Sequence, residues 1–141
     1  MDWQVRLWTG DLIMINSTIK DSAAIERSRD PVELEAFFTI AERWALSTDE
    51  QIRLLGSPGR STFFKWKKEG GTLPPDTGER LSHLLAVVKA LRILFTRDER
   101  GDEWIRRSND FFDGMSALDV MQDGVSGIYR VRQYLDAQRG G

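Results

Sequence analysis

The sequence predicts an all-α fold, a helical bundle whose N-terminal part carries a helix-turn-helix and whose C-terminal part is small and helical. Apolar residues recur at spacings of three and four over long stretches, which is the period of an amphipathic helix. Within residues 54–68, a short helical segment stops at a glycine and the chain restarts as a basic helix. No segment alternates apolar and polar residues clearly enough to predict a strand.

Length, charge and cysteine content limit what the chain can do. Its 141 residues suffice for one compact domain or two very small ones. The absence of cysteine excludes disulfides, thiolate metal sites and thiol nucleophiles. Neither a signal peptide nor an apolar run of membrane-spanning length is found, so we expect a cytoplasmic protein without membrane contact. The net charge of −2 argues against general coating of nucleic acid, and DNA binding would require a local basic patch.

The first thirty residues show only weak periodicity. Their single apolar run, at residues 12–15, stands among aspartate, serine, threonine and lysine. This run is compatible with an edge strand, with an arm that docks onto a partner, or with a disordered tail. We expect residues 1–30 to form a loosely structured N-terminal arm.

Two amphipathic helices follow the arm. The first is predicted to begin at Pro31, because proline is well tolerated at the first helical position. Ser47 and Glu50 stand three residues apart in the pattern of a capping box, which predicts a second helix over residues 48–55 that ends at Gly56. The residues expected to face the core from these helices are Leu34, Phe37, Phe38, Ala41, Trp44, Ala45, Ile52 and Leu55.

A third, basic helix is predicted next, with Ser57 as its cap and Pro58 at its first position. Residues 57–71 contain four basic residues and one acidic residue, in a chain that is acidic overall. In a helix-turn-helix this second helix enters the major groove of DNA, where hydroxyl groups can hold phosphates and arginine can bind a guanine edge. The alternative is a solvated helix face without a partner. The DNA-binding candidates are Ser57, Arg60, Ser61, Thr62, Lys65, Lys67 and Lys68, while Phe63, Phe64 and Trp66 are expected in the core.

A long helix over residues 75–96 is apolar on almost every side. Such a helix must be covered on almost every side, so it is expected to be the central helix of the fold, with part of it available as a dimer interface. It completes the predicted helix-turn-helix part of the chain, residues 31–96.

The C-terminal part, residues 97–141, is predicted to consist of shorter helices. One covers residues 98–106, and a second follows a serine cap at Ser116. A last amphipathic helix begins at Val125. The chain is expected to end in a flexible segment, residues 138–141.

No metal site, cofactor site or catalytic site is predicted. His83 is the only histidine and stands in the apolar central helix, so a hydrogen-bonded core histidine is expected instead of a zinc ligand. Carboxylate pairs such as Asp76 with Glu79 stand near helix starts, where the helix dipole explains them. Because no nucleophile, base and oxyanion hole can be assembled, a small hydrolase or transferase is not expected.

Three clusters of residues follow one another between residues 37 and 141. They are Leu54-Leu55-Gly56-Ser57 with residues 63–66; Arg80-Leu81-Ser82-His83-Leu84-Leu85 continuing to Leu94-Phe95; and Trp104-Ile105-Arg106-Arg107-Ser108-Asn109 with Phe112-Asp113-Gly114 and Ser116-Ala117-Leu118-Asp119-Val120-Met121. In order and spacing these clusters resemble the Xre/MbcA/ParS antitoxins of bacteria, whose partner toxins carry a RES domain. The family's prolines before Asn109 and after Ser116 are replaced here by Ser108 and Ala117, at positions where proline only stiffens the backbone.

The resemblance implies a non-enzymatic antitoxin, a helical homodimer that blocks a RES-domain toxin and represses its own operon by binding operator DNA. Such toxins act on NAD, and the antitoxin's C-terminal end lies at or near their NAD pocket. The alternative for this segment is a frayed chain end. The alternative for the whole chain is a free-standing helix-turn-helix repressor whose C-terminal third serves dimerisation or ligand sensing. The toxin-binding candidates are Arg106, Arg107, Asn109, Phe111, Phe112, Tyr134, Gln138, Arg139, Gly140 and Gly141.

Overall fold

The structure, a computed structural model, describes the backbone of residues 22–140 and the side chains of residues 31–140. Over these residues the regular structure is helical, apart from one isolated antiparallel bridge between Ser108 and Ser116. The prediction of an all-α fold is confirmed. The elements are α1 (Ser22–Arg43), α2 (Thr48–Leu54), α3 (Arg60–Glu69), α4 (Pro75–Leu94), α5 (Asp98–Trp104), a 3-10 turn (Asp110–Phe112), α6 (Ala117–Met121) and α7 (Val125–Gln138).

Helix α4 is the central helix of the fold. It packs against α1, α5 and α7, and its contact with α7 is the most extensive among the described helices. Ile93, near the end of α4, is exposed, so the described residues do not cover the apolar surface of this helix completely. The α4 side chains buried in the core are Leu81, Leu84, Val87, Val88, Ala90 and Leu91.

Helix α1 begins earlier than predicted. It runs from Ser22 and contains Pro31 in its interior, so the predicted start at Pro31 is wrong. Proline removes one backbone donor and crowds the turn before it, yet the helix continues through Pro31, and residues 22–30 contain two alanines, two arginines and a glutamate, which favour helix. Residues 22–30, predicted as part of the arm, therefore belong to α1. The rest of the arm, residues 1–21, lies outside the described residues.

The turn between α2 and α3 also differs from the prediction. Ser57 has a left-handed φ of 57°, and its N–H donates to the carbonyl of Ile52 at 2.9 Å. Together with Gly56, whose φ is 94°, it closes the end of α2 in a Schellman arrangement. The prediction of Ser57 as the cap of α3 is wrong, because its backbone is needed to end α2. Helix α3 instead has Gly59 as N-cap, and Pro58 lies in the turn.

Two predicted helix caps are confirmed. Ser47 Oγ accepts the N–H of Glu50 at 3.0 Å, and Glu50 Oε1 accepts the N–H of Ser47 at 2.8 Å, which completes the capping box of α2. Ser116 Oγ accepts the N–H of Asp119 at 3.0 Å and starts α6. Both caps act within three residues, and for that reason the sequence alone suffices to place them.

Two residues predicted for the core are exposed. Phe63 and Trp66 are buried on one side of α3, as expected, but Phe64 is 46% exposed because it projects from the other side of the helix. Ala45 lies beyond the end of α1 with a left-handed φ of 52° and is also exposed. The aromatic ring of Phe64 is therefore available to a partner of α3.

Candidate functional sites

The predicted DNA-binding residues of α3 share the side of the helix that faces solvent. Phe63 and Trp66 bury the opposite side, and the ring of Phe63 meets that of Phe38 in α1 edge-on at 5.8 Å between centroids. This packing fixes the orientation of α3 against the first helix. Ser57 lies in the preceding turn and not on α3. The exposed residues, named here the basic face, are Arg60, Ser61, Thr62, Lys65, Lys67 and Lys68.

Arg60 links the basic face to α2. Its guanidinium forms an ion pair with Asp49 at 3.1 Å and lies over the ring of Phe64, 5.7 Å from the centroid. Both partners of the ion pair are largely exposed, so the pair contributes little to stability. A phosphate or a base edge could therefore replace Asp49 at low cost.

Arg106, a predicted toxin-binding residue, is engaged within the chain. Its guanidinium donates to the main-chain carbonyls of Trp44 and Ala45, both at 3.0 Å, and to the carboxylate of Glu50 at 3.3 Å. Partial burial raises the pKa of Glu50, but hydrogen bonds from the Ser47 N–H and from Arg106 outweigh it, so this pKa lies below its ordinary value. The structure thus gives Arg106 an internal structural role.

The two phenylalanines of the 3-10 turn lie in opposite environments. Phe111 is 55% exposed, whereas Phe112 is 1% exposed and belongs to the core. The ring of Phe112 packs against Tyr134 of α7 at 5.4 Å between centroids. Phe112 is therefore too buried to contact a toxin directly. Phe111 is the accessible aromatic side chain of this turn.

Phe111 packs against a half-buried tyrosine and an exposed arginine. Its ring is 4.5 Å from that of Tyr134, and the guanidinium of Arg130 lies 5.9 Å from its centroid. Met115, in the loop that follows, is 45% exposed and accepts the N–H of Asn109 on its carbonyl at 3.0 Å. We name Phe111, Met115, Arg130 and Tyr134 the aromatic patch. Met115 and Arg130 were not predicted, and the contact of Arg130 with Phe111 exists only in the folded structure.

Asn109 and Arg107 precede the aromatic patch and differ in role. Asn109 Oδ1 accepts the N–H of Phe111 at 2.9 Å, which starts the 3-10 turn and sets the position of the exposed ring. The side chain of Arg107 is exposed and has no hydrogen bond or ion pair with any described residue. Asn109 therefore positions Phe111, and Arg107 carries an exposed charge without a partner among the described residues.

The end of α7 is more regular than predicted. The helix continues to Gln138, and Arg139 follows as its C-cap with an ion pair to Asp136 at 3.4 Å. Gly140 has a φ of 89°, and Gly141 lies outside the described residues. The prediction of a flexible segment is thus wrong for Gln138 and Arg139, which extend α7 beyond Tyr134.

His83 lies half-buried between α4 and α7. Arg132 Nη1 is 2.9 Å from its Nδ1, which suits a neutral ring that accepts at this nitrogen. Burial lowers the pKa of His83 and the charge of Arg132 lowers it further, while Glu79 at 3.8 Å acts in the opposite direction. No group of three or more His, Asp or Glu in the described residues could hold a metal ion. None of the helices in the described part of the chain is long and apolar enough to cross a membrane.

The basic face and the aromatic patch lie in two different regions of the chain, and each region matches a known domain family. An antitoxin Xre-like helix-turn-helix domain matches residues 23–86, which include the basic face, and an antitoxin Xre/MbcA/ParS C-terminal toxin-binding domain matches residues 90–141, which include the aromatic patch. An uncharacterized protein of Sinorhizobium fredii, y4oB, is 73% identical over 121 residues, which are 85% of this chain and 94% of that protein. The boundary between the two domains falls within α4.

Proposed function

This chain belongs to the Xre/MbcA/ParS family of antitoxins, and we propose that it neutralises a RES-domain toxin that acts on NAD. It is an antitoxin with a helix-turn-helix domain and a toxin-binding domain, and it is not an enzyme. Its partner is a toxin. The choice of a RES toxin is supported by the clusters around Arg106 and Ser116, which resemble those of antitoxins with RES partners.

The exposure of the aromatic patch within the toxin-binding domain supports this surface as the contact with the toxin. Phe111 and Met115 are large, apolar and exposed, and the guanidinium of Arg130 lies over the ring of Phe111. Aromatic residues, methionine and arginine are enriched in protein interfaces, and a few such anchors carry most of the binding energy. Arg107, which has no partner within the described residues, is a further exposed cation of the same domain.

Neutralisation is proposed to be steric. Tyr134 joins the aromatic patch to the last turn of α7, so a toxin that contacts Phe111 also meets Gln138, Arg139 and Gly140. These residues would then lie at the mouth of the toxin's NAD pocket and prevent NAD from entering. No chemical step by the antitoxin is needed, so the purified antitoxin should not consume NAD.

Co-expression with a RES-domain protein, sought first in the adjacent reading frame, tests this proposal. Wild-type antitoxin should rescue growth and copurify with the toxin, and the mass of the complex gives its stoichiometry. Phe111→Ala should weaken toxin binding about tenfold or more. Phe64→Ala is the matched control, because Phe64 is also an exposed phenylalanine but lies on α3. Absence of any complex with the RES protein would overturn the choice of toxin, and equal binding by the two variants would overturn the choice of surface.

The basic face supports a second role, the repression of the antitoxin's own operon. It stands on the second helix of the helix-turn-helix, where cationic and hydroxyl side chains meet phosphates and base edges. A free-standing repressor without a toxin is the alternative. A stable complex with a RES-domain protein would exclude that alternative.

A homodimer is proposed as the DNA-binding form. Ile93 of α4 and Tyr129 of α7 are both exposed, at separate places on two helices that pack against each other, and a second copy could cover either side chain. Two copies would double the number of phosphate contacts of one basic face. The mass of the antitoxin alone in solution checks this state.

A further inference from the structure

Phe64, the fifth residue of α3, presents a large apolar side chain to solvent. It is 46% exposed, whereas the side chain of Phe63 beside it is fully buried. The two rings meet edge-on at 5.1 Å between centroids, so Phe63 supports the ring of Phe64 from the side of the core. Removing apolar surface from water is favourable, so a partner that covers this ring would bind more tightly because of it.

Basic side chains surround the ring of Phe64. Arg60 and Lys68 stand one helical turn before and after it on the same side of α3, and Lys65 follows it directly. All three are exposed, and the guanidinium of Arg60 lies 5.7 Å from the centroid of the ring. A second copy that packed ring against ring about a two-fold axis would bring these charges against their own counterparts, which is repulsive. The surroundings of the ring therefore favour a polyanion as the partner.

The major groove of DNA offers one apolar group that distinguishes the bases, the C5-methyl group of thymine. The N-terminal residues of the second helix of a helix-turn-helix contact the base edges in this groove. Phe64 lies in the N-terminal half of α3, and its side chain has no hydrogen-bonding group with which to bind the donors and acceptors of a base. The thymine methyl group is therefore the feature of a base edge that suits this side chain.

We propose that Phe64 determines sequence specificity by packing against the methyl group of a thymine in the operator. The proposal rests on the proposed binding of operator DNA by the basic face and adds the base that this face recognises. Arg60, which lies beside the ring, then binds the edge of a guanine near that thymine. The guanidinium and the ring centroid are 5.7 Å apart, and successive base pairs are about 3.4 Å apart, so the two bases lie within about two base pairs of each other.

Removal of the thymine methyl groups tests the proposal. Two duplexes of the promoter of the antitoxin's own operon are prepared, one with thymidine and one with deoxyuridine in its place, which differ only in the C5-methyl groups. Fluorescence anisotropy with the full chain at about 50 mM salt, where phosphate contacts keep binding measurable, gives both affinities. We expect the wild-type protein to prefer the thymine duplex about fourfold per protomer, or about fifteenfold as a dimer, because each ring buries one methyl group.

Two variants on α3 separate the methyl contact from general affinity. Phe64→Ala should bind both duplexes equally, at about the affinity that the wild-type protein shows for the uracil duplex. Lys65→Ala is the matched control: it should weaken binding to both duplexes, because a phosphate contact is lost, and should keep the wild-type preference for thymine. Circular dichroism and mass in solution control for the folding and the oligomeric state of both variants.

A thymine preference that Phe64→Ala abolishes and Lys65→Ala keeps would support the proposal. Equal affinity of the wild-type protein for the two duplexes, or a preference that Phe64→Ala retains, would overturn the role of Phe64 and leave operator binding in place. Binding to neither duplex would overturn operator binding itself and this proposal with it. A lower mass of Phe64→Ala in solution would assign the ring to an interface between two copies and would also overturn the proposal.

Discussion

Arg106, which follows α5, donates two hydrogen bonds to the main-chain carbonyl of Trp44 at the end of α1, from Nε at 3.3 Å and from Nη2 at 3.0 Å. The same guanidinium reaches Glu50, whose carboxylate caps α2. Arg106 of the toxin-binding domain thus bonds two parts of the helix-turn-helix domain: a main-chain carbonyl at the end of α1 and the carboxylate that caps α2. Arg53 and Gln122 join the two domains again, at 2.6 Å.

Replacing Arg106 should reduce stability without any partner present. Arg106→Met removes the side-chain donor of the Trp44 and Ala45 carbonyls and leaves the Glu50 carboxylate with the Ser47 N–H alone, so we expect the free energy of unfolding to fall by about 1–2 kcal/mol. Urea denaturation measures this change. Arg107→Met is the matched control and should stay within about 0.5 kcal/mol of wild type, because that side chain is exposed and has no internal partner. Equal stability of the two variants would contradict the structural role of Arg106.

The different roles of Arg106 and Arg107 could not be predicted from the sequence. Both are cationic and adjacent, and the sequence assigned both to toxin binding. Arg106 is separated from Trp44 by 62 positions, so no local pattern marks their contact. By contrast, the capping box of Ser47 and Glu50 was predictable, because its two partners lie three residues apart.

Gly127 is expected to be essential for the packing of α7 on α6. A Cβ added to Gly127 would overlap the main-chain carbonyl of Val120, which cannot move aside as a flexible side chain could. Gly127→Ala should therefore destabilise the fold by about 1–3 kcal/mol. Gly78→Ala is the control in α4: nothing lies within 4 Å of its added Cβ, and the variant should gain about 0.5–1 kcal/mol from helix propensity. Thermal unfolding measures both, and a stable Gly127→Ala variant would contradict this packing.

Most helices could be predicted from the sequence, but fewer of the residues at which they begin and end. No close contact between helices, such as that of Gly127 with Val120, could be predicted. Helix α4 was predictable from its apolar content, since a helix of that composition has to be central. The start of α1 was not, because a proline at its first position and a proline inside a longer helix give the same local pattern. Gly127 carries no sequence signal at all, since only the position of Val120 explains why a glycine stands there.

Stability should depend on the protonation of His83. Its pKa is lowered from 6.5 in the folded chain, by burial first and then by Arg132. The unfolded chain therefore binds more protons than the folded chain between the two pKa values, and stability should rise with pH across that range and fall as pH drops through it. Chemical denaturation between about pH 5 and about pH 8 measures the slope. In His83→Gln the part of the slope just below pH 6.5 should disappear. An unchanged slope would show that other groups cause it.

Removal of the last four residues should separate toxin binding from toxin inhibition. The aromatic patch stays intact when residues 138–141 are deleted, because Tyr134 and Phe111 precede the deletion and pack against each other at 4.5 Å. We expect the shortened antitoxin to copurify with the toxin but to leave NAD consumption by the toxin active. Circular dichroism and mass in solution control for its folding. A shortened chain that still inhibits the toxin would show that the end of α7 does not block the NAD pocket.

Operator binding by the basic face should depend strongly on salt. If each protomer neutralises three or four phosphates, a dimer should show a slope of log affinity against log salt on the order of −6. Lys65→Ala and Lys68→Ala should each reduce this slope by about 1 per protomer, since each loses one phosphate contact. Lys89→Ala is the control, because Lys89 is an exposed lysine of α4 outside the basic face. Fluorescence anisotropy with the promoter DNA of the antitoxin's own operon gives the slopes. A flat salt response of the wild-type protein would contradict DNA binding through α3.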